Sequence, residues 1–344
     1  MRRDEVATDQ RGGVVTMQST WKRHIAGLLG TLVLLMSGCG ENEHAPAASG
    51  LATVRVAMFS AGSTLPVHVA FVEKMFERHG LAVELTEGQD LPVFMAALAK
   101  DQYDIALSGP TLVLIGAERK LELEIVSSLQ RSTRARPNAV WIARDPSVMS
   151  LVQLKGKAIG VPSLTGTIVD ALVYLLGREG IQHNDVKFVQ TPFATMGDQL
   201  DAGNVDAVVA SIPFSGTIAA RGYTLREDVI VEAVNAASNG AVQTAMTTVW
   251  ASTRAFADAH PDTIRAWRSA LDEAIAYLDA DEARARSMMQ DWLQLPAAVL
   301  EHSALPDWSV EVTPRDLEPY VAITRAAGSI NVEPDVNALV WQPR

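Results

Sequence analysis

From residue 52 onward the chain alternates between two hydrophobic periods, and that alternation constrains the fold more than any other feature. Val54-Arg55-Val56-Ala57-Met58 reads as a short strand. Leu65 to Arg78 follows with helical spacing and stops at Gly80, a residue that tolerates the left-handed conformation of a helix end. Leu81 to Thr86 is a second strand, and Asp90-Leu91-Pro92 opens a helix running to Lys100. Asp104 to Leu107, Leu123 to Ser128 and Asn138 to Ala143 are further strands, with a helix over Pro110 to Arg119. After a break at Asp145-Pro146, a second cycle runs through strand Lys157 to Val161, helix Thr165 to Arg178, and strands Val186 to Val189 and Asp206 to Ala210. Strands separated by helices of about 10–15 residues build βαβ units around a largely parallel sheet. Beyond Trp250 the pattern becomes helical, over Pro261 to Leu278, Asp281 to Leu293 and Pro314 to Ala327.

The two cycles resemble each other. LAKDQYDIALSGP (98–110) lies over LDAGNVDAVVASIPF (200–214), with Asp104 above Asp206. Each segment is a helix end, a tight turn, an aspartate, a strand, and then a small polar residue with proline. Tandem α/β lobes of similar plan explain this; chance likeness among generic βαβ units is the competing explanation. A body of about 295 residues is large enough for two medium domains. The net charge of −11, carried by dispersed acidic residues, argues against nucleic acid or an anionic lipid surface as partner.

In open parallel sheets, ligands bind beyond the carboxyl ends of the strands, where helix N-termini expose N–H groups. Four loops occupy such places here. They contain Phe59, Ser60, Ser63 and Thr64; Ser108, Gly109 and Thr111; Ser163, Thr165, Gly166 and Thr167; and Pro213 with Phe214. Each combines hydroxyls with a helix start, which serves either to bind a polar group or merely to cap the helix. None carries lysine or arginine. A fully desolvated anion needs strong compensation, so a neutral, aromatic or largely apolar solute with one polar end fits these loops at least as well.

Catalytic signatures are missing: the chain has no GxSxG, HExxH, GxxxxGK[ST] or GxGxxG. The seven histidines show no paired metal-ligand spacing, and His68 is placed either at a cleft or half-buried on its helix. Asp104 and Asp206 read as turn residues before strands, not as a catalytic pair. Arg131, Arg134 and Arg136 form either a counter-charge for an anion or a solvated basic loop. Trp141, Trp250 and Trp267 are expected in cores. We therefore expect no catalytic residue, no metal and no cofactor.

Cys39 is the only cysteine, so neither an internal disulfide nor a cysteine zinc site is available. It follows a basic patch, Trp21-Lys22-Arg23-His24, and an apolar stretch, Ile25 to Met36, that is too short to span a bilayer. The stretch with Met36-Ser37-Gly38-Cys39 resembles a bacterial lipoprotein signal, cleaved before the cysteine, whose sulfur then receives lipid. Residues 1–16 read as an over-extended start before Met17, 17–38 as the signal peptide and 39–51 as a flexible tether.

LVQLKGKAIGVPSLTGT (151–167), together with FSAGSTLPVHVAFVEKMFERHGLAVEL and ALAKDQYDIALSG in the first lobe, resembles the nitrate/sulfonate/taurine-type periplasmic substrate-binding proteins of ABC importers. These are relatives of the thiamine-pyrimidine-precursor binding proteins. The resemblance implies an α/β, two-lobed type II periplasmic-binding-protein fold with the C-terminal helices packed on lobe one. Lobe one would comprise 52–143 and 251–344 and lobe two 144–250, with crossings near Ala143 to Ser147 and Thr244 to Ala251. It also implies a small organic solute held between the lobes by the four loops and Asn138, and delivery to an ABC permease in the inner membrane. The protein would then be periplasmic and anchored to the membrane through Cys39. A sensory module presenting ligand to a membrane kinase is compatible with the same residues. A pyrimidine-synthase-like enzyme fits less well, since its cysteine-rich iron motif needs more than one cysteine.

Overall fold

The structure, a computed structural model, describes residues 50–296, 299–300 and 303–342. Cys39, the signal and nearly all of the tether lie outside the described residues. In chain order the elements begin β1 (Ala52–Met58), α1 (Leu65–Val72), α2 (Met75–Arg78), β2 (Leu81–Glu87), α3 (Leu91–Leu98), β3 (Ile105–Ser108), α4 (Pro110–Glu118) and β4 (Leu123–Ser132). Next come β5 (Val140–Ala143), β6 (Ala158–Val161), α5 (Thr167–Arg178), β7 (Lys187–Gln190), α6 (Met196–Asp201), β8 (Ala207–Ala210), α7 (Phe214–Ala219) and α8 (Val229–Ala237). The chain closes with β9 (Ala245–Thr253), α9 (Arg254–Ala259), α10 (Pro261–Asp279), α11 (Glu282–Leu293), β10 (Asp307–Trp308) and α12 (Pro314–Ala326).

Two sheets form. The first has the order β10-β4-β9-β3-β1-β2 and the second β5-β8-β6-β7. β1, β2 and β3 run parallel, as do β6, β7 and β8, while β9 is antiparallel to β3 and β4, and β5 to β8. A two-residue period splits the second sheet cleanly. Trp141, Ala143, Ala207 and Val209 face the large core, whereas Val140, Ile142, Val208 and Ala210 pack with Met196 and Leu200 in a smaller one. In the first lobe α1 and α2 pack against α10. There the Phe76 ring stacks on Trp267 at 5.1 Å, and Trp250 meets Trp267 edge-on at the same distance. Such aromatic pairs contribute about 0.5–1.5 kcal/mol beyond area burial. Trp141, Trp250 and Trp267 are all buried, as expected. α12 reaches further, packing on α4, α5 and α8.

Three sequence expectations need correction. The helix over 65–78 is interrupted at Lys74, which takes φ 57°, so α1 and α2 are separate. The chain passes between the sheets at 133–139, upstream of the expected Ala143 to Ser147, and at 238–244, which ends where the expected span Thr244 to Ala251 begins. β5 is zipped antiparallel onto β8 and so belongs to the second sheet, while β9, buried over most of its length, inserts between β3 and β4 of the first. Finally, α8 was not among the expected helices. The Asp228 carboxylate starts α8 by accepting from Ile230 and Val231, and it also accepts from Asn138 and Ala139. One buried side chain thereby ties the first crossing to the helix that precedes the second. Burial pushes its carboxyl up, and the four N–H donors pull it back.

Candidate functional site

The carboxyl ends of β1, β2 and β3 face those of β6, β7 and β8 across a cavity of about 390 Å³. Of the residues expected from sequence, Phe59, Ser60, Ser63, Gly109, Asn138, Ser163, Thr165, Gly166, Thr167 and Phe214 line it. Thr64, Ser108, Thr111 and Pro213 lie behind the wall. The Thr64 hydroxyl sits 2.8 Å from the carbonyl of Phe59 and accepts from the Ala61 N–H, fixing the loop after β1. Ser108 is buried, its hydroxyl donating to the Gly109 carbonyl. Pro213 accepts from the Gly216 N–H at the start of α7.

Thr111 serves where the lobes touch. Its hydroxyl is 3.3 Å from that of Thr167, joining the first turns of α4 and α5. Gly109 makes this approach feasible, because a Cβ there would lie 2.4 Å from Thr167 Oγ1. Opposite it, Gly166 has φ 104°, and Leu112 packs where its side chain would be. Asp170, one turn into α5, is buried and accepts from the Ser329 hydroxyl at 2.7 Å. Burial pushes its carboxyl up to about 6, against the pull of Ser329 and Thr111. α5 is thus linked both to α4 and to the segment after α12.

Aromatic rings cross the cavity. Phe193 stacks on Phe214 at 5.7 Å with an interplanar angle of 10°, and Phe59 from the first lobe meets Phe193 at 6.4 Å. Around them the lining includes Asn138, Thr247, Thr248, Gln190 and the Glu87–Asp90 loop. None of the lining residues is lysine, arginine, histidine or cysteine. The three arginines that precede β5 are engaged elsewhere: Arg131 with Asp316, Arg134 with Glu232 and Arg136 with Asp307. His68 stacks on Trp292 at 4.4 Å outside the lining, and burial lowers its pKa. Among the described residues no group of three or more His, Cys, Asp or Glu is placed to hold a metal, and no helix is long and apolar enough to cross a membrane. Its hydroxyls, amides and aromatic rings equip the cavity to hold a small molecule by hydrogen bonds and ring contacts.

Sequence reasoning missed the loop after β2 (Glu87 to Leu91), the one after β7 (Gln190, Pro192 and Phe193), and Thr247 with Thr248 on β9. The carboxyl-end rule, applied to every parallel strand, would have found the first two groups. Thr247 and Thr248 carry no such signal, since β9 runs antiparallel and reaches the cavity through its pairing with β3 and β4.

Comparison with solved structures places this architecture. The alkanesulfonate-binding protein SsuA from Xanthomonas axonopodis pv. citri, bound to MOPS, superposes with TM-score 0.69 at 17% identity, covering 84% of this chain and 98% of that one. The periplasmic aliphatic sulphonate binding protein SsuA from Escherichia coli gives 0.66 at 16%, covering 85% and 98%. The periplasmic nitrate-binding protein NrtA from Synechocystis PCC 6803 gives 0.66 at 12%, covering 84% of each chain. At these identities the likeness establishes the fold, the two-lobed periplasmic-binding-protein architecture. No curated protein sequence matches the chain. The sequence profile described as "NMT1/THI5 like" matches residues 63–285, a span that takes in the whole second sheet and four of the six strands of the first, and the chain belongs to the NMT1/THI5-like family.

Proposed function

We propose that the protein is the solute-binding component of an ABC importer, anchored outside the cytoplasm through lipid on Cys39. On this reading it binds a small organic solute non-covalently between its lobes and delivers it to a membrane permease. The observation that carries the reading is the cavity itself. It is lined from both sheets at their carboxyl ends and rimmed by hydroxyls and aromatic rings. The solved neighbours described as sulfonate- and nitrate-binding proteins support it. Closure of the lobes around ligand is the accompanying motion. With no lysine or arginine in the lining, a simple desolvated anion fits poorly, and a solute with an aromatic or apolar body fits better.

Calorimetry and thermal-shift titration of the purified chain test this, using sulfonates, aromatic acids, pyrimidines, amines and apolar metabolites. At least one class should raise Tm and contract the particle in solution scattering. A flat response across the library, with no contraction, would sink the reading. Lipidation is tested separately: labelled fatty acid should enter the wild-type chain in a bacterial host and not Cys39→Ala.

A further inference from the structure

The two ends of the cavity differ in charge. Sheet order lays the first-lobe lining in the sequence β9, β3, β1, β2, running from Thr248 past Phe59 to Glu87 and Asp90. The second sheet runs β5, β8, β6, β7, from Asn138 to Phe193. The contact of Phe59 with Phe193 aligns the two rows. One end therefore offers amide and hydroxyl groups, the middle offers rings, and the far end offers carboxylates.

Asp90 is the informative residue. It occupies the N-cap position of α3, where a carboxylate ordinarily accepts from the first turn, yet it makes no cap bond. Pro92 stands at one of the positions that would donate and has no N–H. Asp90 Oδ1 is left buried without a hydrogen-bond partner among the described residues, on a wall of the cavity. At the opposite end Thr248, 9% exposed, has its Oγ1 in the same condition. Asp90 as a whole is only partly buried, so the cost of its one unpartnered oxygen is modest, and no cationic residue lines the cavity to offset it. The missing partner is then a donor brought by the ligand.

We propose that the cavity selects a solute with a cationic nitrogen at the Asp90 end, a flat aromatic body across Phe59, Phe193 and Phe214, and a hydrogen-bonding group facing Thr248 and Asn138. Arylalkylamines are the chemical class. The aromatic faces add cation–π attraction to the carboxylate. This inference rests on the solute-binding reading above and narrows it.

The test uses matched probes on the full purified chain: phenethylamine, 2-phenylethanol, 3-phenylpropionate and 2-phenylethanesulfonate, with the corresponding tryptamine set and the wider library. An amine should bind at least tenfold tighter than its alcohol, and Asp90→Asn should abolish that advantage, bringing the amine and the alcohol to similar affinities. Asp90→Ser, a second neutral substitution, should behave alike if Asp90→Asn folds poorly. Tightest binding by a carboxylate or sulfonate, or library hits that all lack a cationic nitrogen, overturns the charge assignment and leaves solute binding intact. An amine preference untouched by both variants removes the role of Asp90. No binding by any probe, with no contraction in scattering, overturns the solute-binding reading and this inference with it.

Discussion

The two lobes place an aspartate one residue before a strand and use it in the same way, at different depths. Asp104, before β3, accepts from the backbone N–H of Arg55 on β1 at 2.8 Å, and its own N–H donates to the Arg55 carbonyl. Asp206, before β8, accepts from Ala158 on β6 at 3.0 Å and donates to the Ala158 carbonyl. Each carboxylate also meets an arginine. In the first lobe this is Arg55 itself, bound through two nitrogens at 2.7 and 3.1 Å, and the Asp104 side chain is only 2% exposed. In the second it is Arg144 from beyond β5, at 3.3 Å, and Asp206 remains 31% exposed. The device registers the crossover strand against its parallel neighbour. What resembled a carboxylate pair in the sequence is one structural solution used twice, with its energy set by burial.

Substitution separates the two copies most directly. Asp104→Ala should lower unfolding stability by about 2 to 4 kcal/mol, because it strips a partly buried guanidinium and a strand N–H of their acceptor; Arg55 keeps some water, which trims the fully buried cost. Asp206→Ala should cost about 1 kcal/mol, chiefly the Ala158 N–H. Urea melts of the two variants check this, and equal losses would break the comparison. The next effect is a pH dependence found at the α5 link in the second lobe. Since the folded-state pKa of Asp170 is raised to about 6 from an ordinary value near 3.8, the native state holds more protons between those limits, and stability falls as pH rises through that window. The drop should be of the order of 3 kcal/mol for a shift of about two units, present in full above pH 6 and absent below pH 4. Asp170→Asn should flatten that part of the Tm–pH profile, and an unaltered profile would remove Asp170 as its source.

Two smaller effects concern the cavity. Phe214→Ala and Phe193→Ala in the second lobe should each weaken ligand binding about tenfold or more, and Phe59→Ala in the first somewhat less, because Phe59 meets the stack at an angle. Titration with whichever ligand the library identifies decides the order. Gly109→Ala should loosen the contact between lobes and weaken binding a fewfold, since the new methyl meets Thr167 Oγ1. Adding Thr167→Ala to that variant should restore part of the loss. A double variant no better than the single one would place the clash elsewhere.

Much of the strand–helix order was legible because parallel α/β lobes give each strand a continuous apolar run and each helix a capped start. β1, β3, β6 and β8 lie within two residues of expectation at either end. Continuity across Lys74 was not legible, because a single left-handed residue leaves the surrounding apolar spacing almost unaltered. The loops after β1, β3, β6 and β8 announced themselves through hydroxyls and small residues. Those after β2 and β7 did not: Glu87, Asp90 and Gln190 look like ordinary surface residues until the opposite lobe covers them.

The sequence by itself determined the alternation of strands and helices, the repeat, the absence of familiar catalytic motifs and the lack of cationic residues in the loops then considered. These are local properties of spacing and side-chain type. Tertiary structure alone decided where the chain crosses between sheets, that Thr247 and Thr248 on an antiparallel strand reach the cavity, and that the Asp90 carboxylate lines it without a partner. Each of these depends on strand order and on the approach of residues from the opposite sheet. No period along the chain encodes which strand will lie beside which.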